Sequence, residues 1–140
     1  MRFNPISGLP DYIRSTEDAS NVLVPLGFLA DCEASDAVGD PVVVDAAVDD
    51  KVESISSNVY DDLVVGIIHE KLSATRCVVV VMGLLPGISS GLTRRKAVFI
   101  SPTGGLTTTP PATGHQQIIG QAVNSTDVVV NINNSKVVQT

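Results

Sequence analysis

From Pro25 onward the chain is a succession of short β-branched runs broken by Asp, Gly and Pro, at intervals near the ~8–12 residues typical of sandwiches and barrels. The runs are Leu26–Ala30, Pro41–Asp45, Val52–Ser56, Leu63–His69, Cys77–Met82, Ala97–Ser101, Gln117–Val123 and Asp127–Ile132. No segment keeps a helical period over three turns, so the sequence predicts an all-β fold: a small β-barrel or sandwich of about eight short strands. Asp36–Asp40, Asp45–Asp50, Asp61-Asp62 and Pro102–Gly105 supply the breaks, because Asp, Gly and Pro satisfy or preset turn dihedrals. These acids read as solvated turns, since they lack the fixed offsets of a calcium loop.

The order of runs repeats. Gly39–Asp45, Lys51–Ser56, Leu63–Ile68 and Cys77–Val81 are echoed by Arg95–Ser101, Gly105–Thr109, Gln117–Ala122 and Asp127–Asn131. Gly66 and Gly120 fall at matching places. A glycine inside a strand weakens it unless the backbone bends or meets another backbone there, so the pair predicts two equivalent corners of a closed or nearly closed sheet. The reading is one β domain over residues 25–140 with pseudo-repeats at 39–82 and 95–132, preceded by an extended N-terminal arm over residues 1–24. Pro5, Gly8, Pro10 and Pro25 punctuate that arm, and Ser15–Ser20 has at most one helical turn.

At 140 residues the chain has room for one modest core. Hydrophobic residues are 44% and aromatics 4%, so that core is Val, Ile, Leu and Ala. The net charge is −6, and Arg94-Arg95-Lys96 is the one basic cluster, which argues against a nucleic-acid partner. No apolar run reaches the ~18 residues of a membrane-spanning helix, the longest, Cys77–Met82, ending toward Gly83 and Pro86. The opening MRFNPISGLP lacks the apolar stretch of a secretory signal, so cytosolic synthesis and free thiols at Cys32 and Cys77 are expected, without a secretory context for a disulfide.

Sharper chemical readings fail on their surroundings. Gly87-Ile-Ser-Ser-Gly91 matches the serine-hydrolase elbow, but a strand follows where a helix is needed, and His115 precedes Asp127 rather than following it. His69, His115, Cys32 and Cys77 lie at no short zinc-site spacing. Gly104-Gly105 has no helix or lysine after it to complete a phosphate loop. The sequence therefore implies no enzyme, no catalytic or metal residues and no cofactor.

The stretch LTRRKAVFISPTGGLTTTPPATGHQQIIGQA, Leu92 to Ala122, followed by Val128-Val-Val130, resembles modules of bacteriophage virion proteins, in particular head decoration (cement) proteins and related phage fibre modules. Gly39-Asp-Pro-Val42 and Val64-Val-Gly66 are in the same style, so the resemblance spans Ala37 to Ile132 and leaves the arm uncovered. It implies a passive structural subunit of the virion, a homotrimer on the outer capsid surface, with the major capsid protein as partner and neither nucleic acid nor membrane. The residues themselves are compatible with this: long apolar strands exceed what a small core hides, and an arm can order on contact with a neighbour. Phe3, Ile6, Leu9, Tyr12 and Ile13 are the expected partner-binding residues of the arm. The uncharged Thr107–Thr113 loop, stiffened by proline, is expected to be a contact rim. A tail, baseplate or fibre component is the alternative, as is a host-receptor or glycan-binding module, which the shortage of aromatic faces disfavours.

Overall fold

A computed structural model of the chain describes residues 2–3, 10–11, 25–55, 63–132 and 136–139. No helix occurs among them. Two short strands near the start, β1 (Arg2–Phe3) and β2 (Pro10–Asp11), pair with one another. The body is built from β3 (Leu26–Asp31), β4 (Pro41–Val44), β5 (Val52–Ser54), β6 (Gly66–Ser73), β7 (Arg76–Leu85), β8 (Ala97–Ile100), β9 (Leu106–Thr107), β11 (Gly120–Ala122) and β12 (Val128–Asn131), with β10 (Gly114–Gln117) and β13 (Lys136–Gln139) forming a separate pair. The body is a single curled sheet in the order β5-β4-β6-β7-β12-β11-β8-β9, with β3 also on β7, and it forms a half-barrel. Its named strand pairs are all antiparallel.

The sheet order reads the same from both ends: β4, β5, β6 and β7 are connected as β8, β9, β11 and β12 are. Hydrogen bonds repeat with the topology. Val65 N donates to Val42 O at 2.9 Å, and Ile119 N to Val98 O at 2.8 Å. Ile68 N donates to Asp40 O and Ala122 N to Lys96 O, both at 3.0 Å. Gly39 N donates to Ile68 O and Arg95 N to Ala122 O, both at 2.8 Å. Gly39 and Arg95 share left-handed backbone, with φ of 96° and 74°. Gly66 and Gly120 each open a strand, opposite Val42 and Val98 respectively.

The repeat begins earlier than the sequence reading placed it. Leu26-Gly-Phe-Leu29 and Met82-Gly-Leu-Leu85 match without a gap, and each pairs with the last strand of its own repeat: β3 with β7, and the second half of β7 with β12. The first unit therefore runs from Leu26 and the second from Met82, sharing the continuous β7. Gly83 does not end the strand, as expected from sequence, but bends it: its φ is 128°, and a Cβ there would lie 2.8 Å from Pro25 Cα. Other boundaries differ as well. The Leu63–His69 run starts its strand only at Gly66 and extends to Ser73, and Gln117–Val123 splits into β10 and β11 around Ile118 and Ile119. In Val52–Ser56 the described strand ends at Ser54.

Two cores result. In the first unit, β3 returns to β5 through a parallel bridge, Asp31 to Lys51, with Asp31 N donating to Asp50 O at 3.0 Å. This bridge closes a ring β3-β7-β6-β4-β5 around Ala30, Cys32, Val42, Val52, Ile68, Cys77 and Val79. The second core contains Val43, Ile67 and Val80 from the outer face of that ring, together with Val98, Ile119, Ala122, Val128 and Val130 of the second unit. Adjacent residues Val42 and Val43, Ile67 and Ile68, and Val79 and Val80 are all fully buried, as strands with both faces covered require. The units are thus stacked front to back: the inner face of the second covers the outer face of the first. The outer face of the second, where Ala97, Gln121 and Val129 stand in place of Pro41, Ile67 and Val80, carries exposed side chains.

Candidate interaction surfaces

The outer face of the second unit is a shallow concavity lined by Arg95, Ala97, Ile118, Gly120, Gln121, Val129 and Asn131. Register places its side chains in rows. Ala97 is opposite Gln121, Gln121 opposite Val129, and Val129 opposite Leu84; Met82 follows, opposite both Asn131 and Leu26. Leu26, Met82, Leu84 and Val129 are 40% to 63% exposed, so an apolar strip crosses the sheet. Arg95 stands at its margin with Arg94 and Lys96, all exposed, and Gln121 Nε2 donates to Arg95 O at 3.0 Å.

A second concavity lies on the seam of the ring, lined by Phe28, Leu29, Ala30, Val44, Asp50, Lys51, Val52 and Arg76. Leu29 and Val44 are more than half exposed, and Val48 nearly so. The cations of this region have partners: Arg76 Nη1 lies 2.8 Å from Asp31 Oδ1, and Lys51 pairs with Glu33 and, at 3.7 Å, with Asp45. Asp45 accepts Ala47 N and Val48 N, which with Lys51 hold its carboxyl below the usual range against a smaller desolvation effect. Asp49 and Asp50 are exposed at the same hairpin tip and leave it acidic.

Polar side chains elsewhere serve the fold. Asp36 is buried, and its carboxylate accepts Glu33 N at 2.8 Å and Ser54 Oγ at 2.7 Å, while Lys71 Nζ donates to the carbonyls of Glu33, Asp36 and Ala74. Gln117 is buried and imitates a strand: its Oε1 accepts Val64 N at 2.8 Å and its Nε2 donates to Val64 O at 3.0 Å. Sequence reading took Gln117 for an ordinary strand residue; the signal was a glutamine directly before Ile118-Ile119.

The Gly87–Gly91 motif is a turn. Gly87 and Gly91 have φ of 67° and 70°, and Ile88 N and Ser89 N donate to Thr126 O. The Asp127 carboxylate accepts Asn124 Nδ2, Gly87 N and Thr126 Oγ1, tying this turn to the β11–β12 hairpin. Those bonds, that from Asn124 foremost, hold the Asp127 carboxyl below its usual value of 3.8. A depressed folded-state value means stabilisation that is complete above about 3.8 and lost as pH falls through the lowered value. The urea midpoint should therefore drop between pH 5 and pH 2.5, and Asp127→Asn should lower the midpoint at pH 7 while flattening that acid limb. An unchanged acid limb in the variant would contradict the assignment.

Cys32 and Cys77 are free thiols buried in the ring core. Burial, and next the hydrogen bond with Cys32, pushes the Cys77 thiol up to about 12. At pH 8 only about one Cys77 in ten thousand would be thiolate. Iodoacetamide should accordingly leave Cys77 unlabelled in the folded protein and label it in denaturant; rapid native labelling would show the ring to be open. His69 is exposed, His115 is half-buried in β10, and no group of three or more His, Cys, Asp or Glu that could hold a metal occurs among the described residues.

Of the arm residues expected to bind a partner, Phe3 lies in β1, opposite Pro10, while Ile6, Leu9, Tyr12 and Ile13 are outside the described residues. The Thr107–Thr113 loop is partly folded in. Pro111 is buried, Thr108 Oγ1 accepts Thr93 N at 3.0 Å, and Thr109, Pro110, Ala112 and Thr113 are exposed. Comparison of the chain with protein families, with characterised proteins and with solved structures finds no match.

Proposed function

We propose that this protein is a bacteriophage head decoration protein, an adhesive subunit that binds the assembled major capsid protein and strengthens the shell. The observation that carries this reading is the apolar strip on one side of a small β body, Leu26, Met82, Leu84 and Val129, joined across strands by register and ending at a basic margin. Scattered exposed apolar residues need no explanation, but contiguous ones on a soluble body mark contact surfaces. The resemblance of Leu92–Ala122 to virion modules supports the same reading, as do the exposed Thr and Pro side chains of the loop within it.

The function needs only binding energy. A subunit with affinity for the closed shell and none for its open or dissociated state stabilises closure by mass action, about 2.7 kcal/mol per site at a hundredfold excess over Kd. Many equivalent sites then act together. Electron microscopy of virions carrying a labelled copy tests the assignment. Label distributed over the head surface is expected; label confined to one vertex or to the tail would replace this reading with a tail or fibre role.

A further inference from the structure

The outer face of the first unit is covered by the second, whereas on the equivalent face of the second unit Gln121 and Val129 are exposed and Ala97 is half-buried. That face combines apolar Leu84, Ala97, Ile118 and Val129 with cationic Arg95. At the ring seam, the tip of the β4–β5 hairpin and the adjoining β3 combine apolar Phe28, Leu29, Val44 and Val48 with anionic Asp49 and Asp50. Both are concave or fringed by half-exposed aliphatic side chains, and their charges are opposite. The seam's own cations are engaged by Asp31, Glu33 and Asp45, which leaves the negative charge of Asp49 and Asp50 for another partner.

We infer that the open face of the second unit binds the acidic ring seam of a second copy of this chain, head to tail, with Arg95 meeting Asp49 and Asp50. Because the two patches differ, the contact is heterologous, and successive copies close into a ring or extend in a line according to the rotation between them. Opposite charge fixes which patch meets which and excludes face-to-face or seam-to-seam pairing, where like charges would oppose. This contact shares Leu84 and Val129 with the strip assigned to the shell, so the two partners are alternatives for that face, and self-association is measured on the chain alone in solution.

Sedimentation equilibrium of the full chain is the test, with circular dichroism to confirm folding. The wild-type chain should self-associate at low salt and less so at high salt, since exposed charges are screened. Arg95→Glu should weaken association at least about tenfold, as should Asp49→Lys combined with Asp50→Asn, the size expected from reversing one side of a charged contact. Asn suits position 50, whose φ is 58°. The decisive arm mixes the two variants: each is expected to be monomeric alone and to associate with the other. Should either charge variant misfold, Ile118→Asn and Val48→Asn take its place, both being exposed side chains outside the two cores, and each should weaken association. A wild-type chain that stays monomeric, variants that associate as the wild type does, or a mixture that stays monomeric would overturn the inference. A head that binds a strictly monomeric chain would leave the decoration reading standing and remove this one.

Discussion

Gly120→Ala is expected to destabilise the protein by about 3 kcal/mol or more, among the largest effects available to a single methyl group. A Cβ at this position falls far inside van der Waals contact distance of the Val129 carbonyl oxygen and close to Val130 Cα, both backbone atoms of the neighbouring strand. Relief requires β11 and β12 to move apart, which loosens the ladder Gly120–Ala122 against Val128–Val130. Gly66→Ala is expected to cost less, about 1–2 kcal/mol. There the nearest obstacle is a methyl of the buried Val79 side chain, which gives more readily than backbone, and the next is Val80 O at 2.7 Å. Denaturant midpoints of the two variants give the order directly. Equal and small effects would contradict the close approach of strands at the second corner.

The second large effect is at Gln117. Gln117→Met keeps the length and removes both polar atoms, so Val64 N–H and C=O lose their partners in a buried place. Each orphaned group costs about 1–3 kcal/mol, so the variant should lose about 2–5 kcal/mol. Gln117→Glu separates geometry from charge. A protonated Glu can accept from Val64 N and donate to Val64 O as the amide does, whereas a carboxylate cannot donate and is costly to bury. Burial raises the carboxyl pKa, so the Glu variant should be most destabilised above neutrality and recover as pH falls toward about 5. A loss independent of pH would mean that shape, not the pair of hydrogen bonds, is what Gln117 contributes.

Much of this architecture was legible in the residues. Period and turn chemistry marked the strands, and the matched Gly66 and Gly120 did mark equivalent corners, because only a residue without Cβ tolerates a neighbouring strand that close. The beginning of the repeat was hidden by Gly83. Read alone, it ends an apolar run; in place, it lets Pro25 pack against β7 and allows one strand to serve two units. Had Leu26–Leu29 been aligned with Met82–Leu85, the shared strand would have been visible. The front-to-back stacking was also written in the pattern. Pro41–Val43 and Gly66–Ile68 are buried without alternation, the sign of two covered faces, whereas β12 alternates buried and exposed, the sign of one open face. Two features had no local signal. Gln117 acts on Val64, 53 residues away, and the Asp31–Lys51 bridge joins chain segments that only the curl of the sheet brings together.

The candidate surfaces were less legible than the fold. Sequence reading placed contact in the arm and in the Thr107–Thr113 loop, because neither has an obvious core to enter. The strip across β7 and β12 was missed, since Met82, Leu84 and Val129 look like core residues until the register shows which side of the sheet they occupy.

Adhesion to an assembled shell is tested most directly by co-sedimentation of the purified chain with empty phage heads that lack it, set against the same capsid protein in unassembled form. The account expects saturable binding to the heads, weakened by Leu84→Asn and Val129→Asn, with no binding to the free subunits. Equal binding to both forms, or none to the heads, would contradict it.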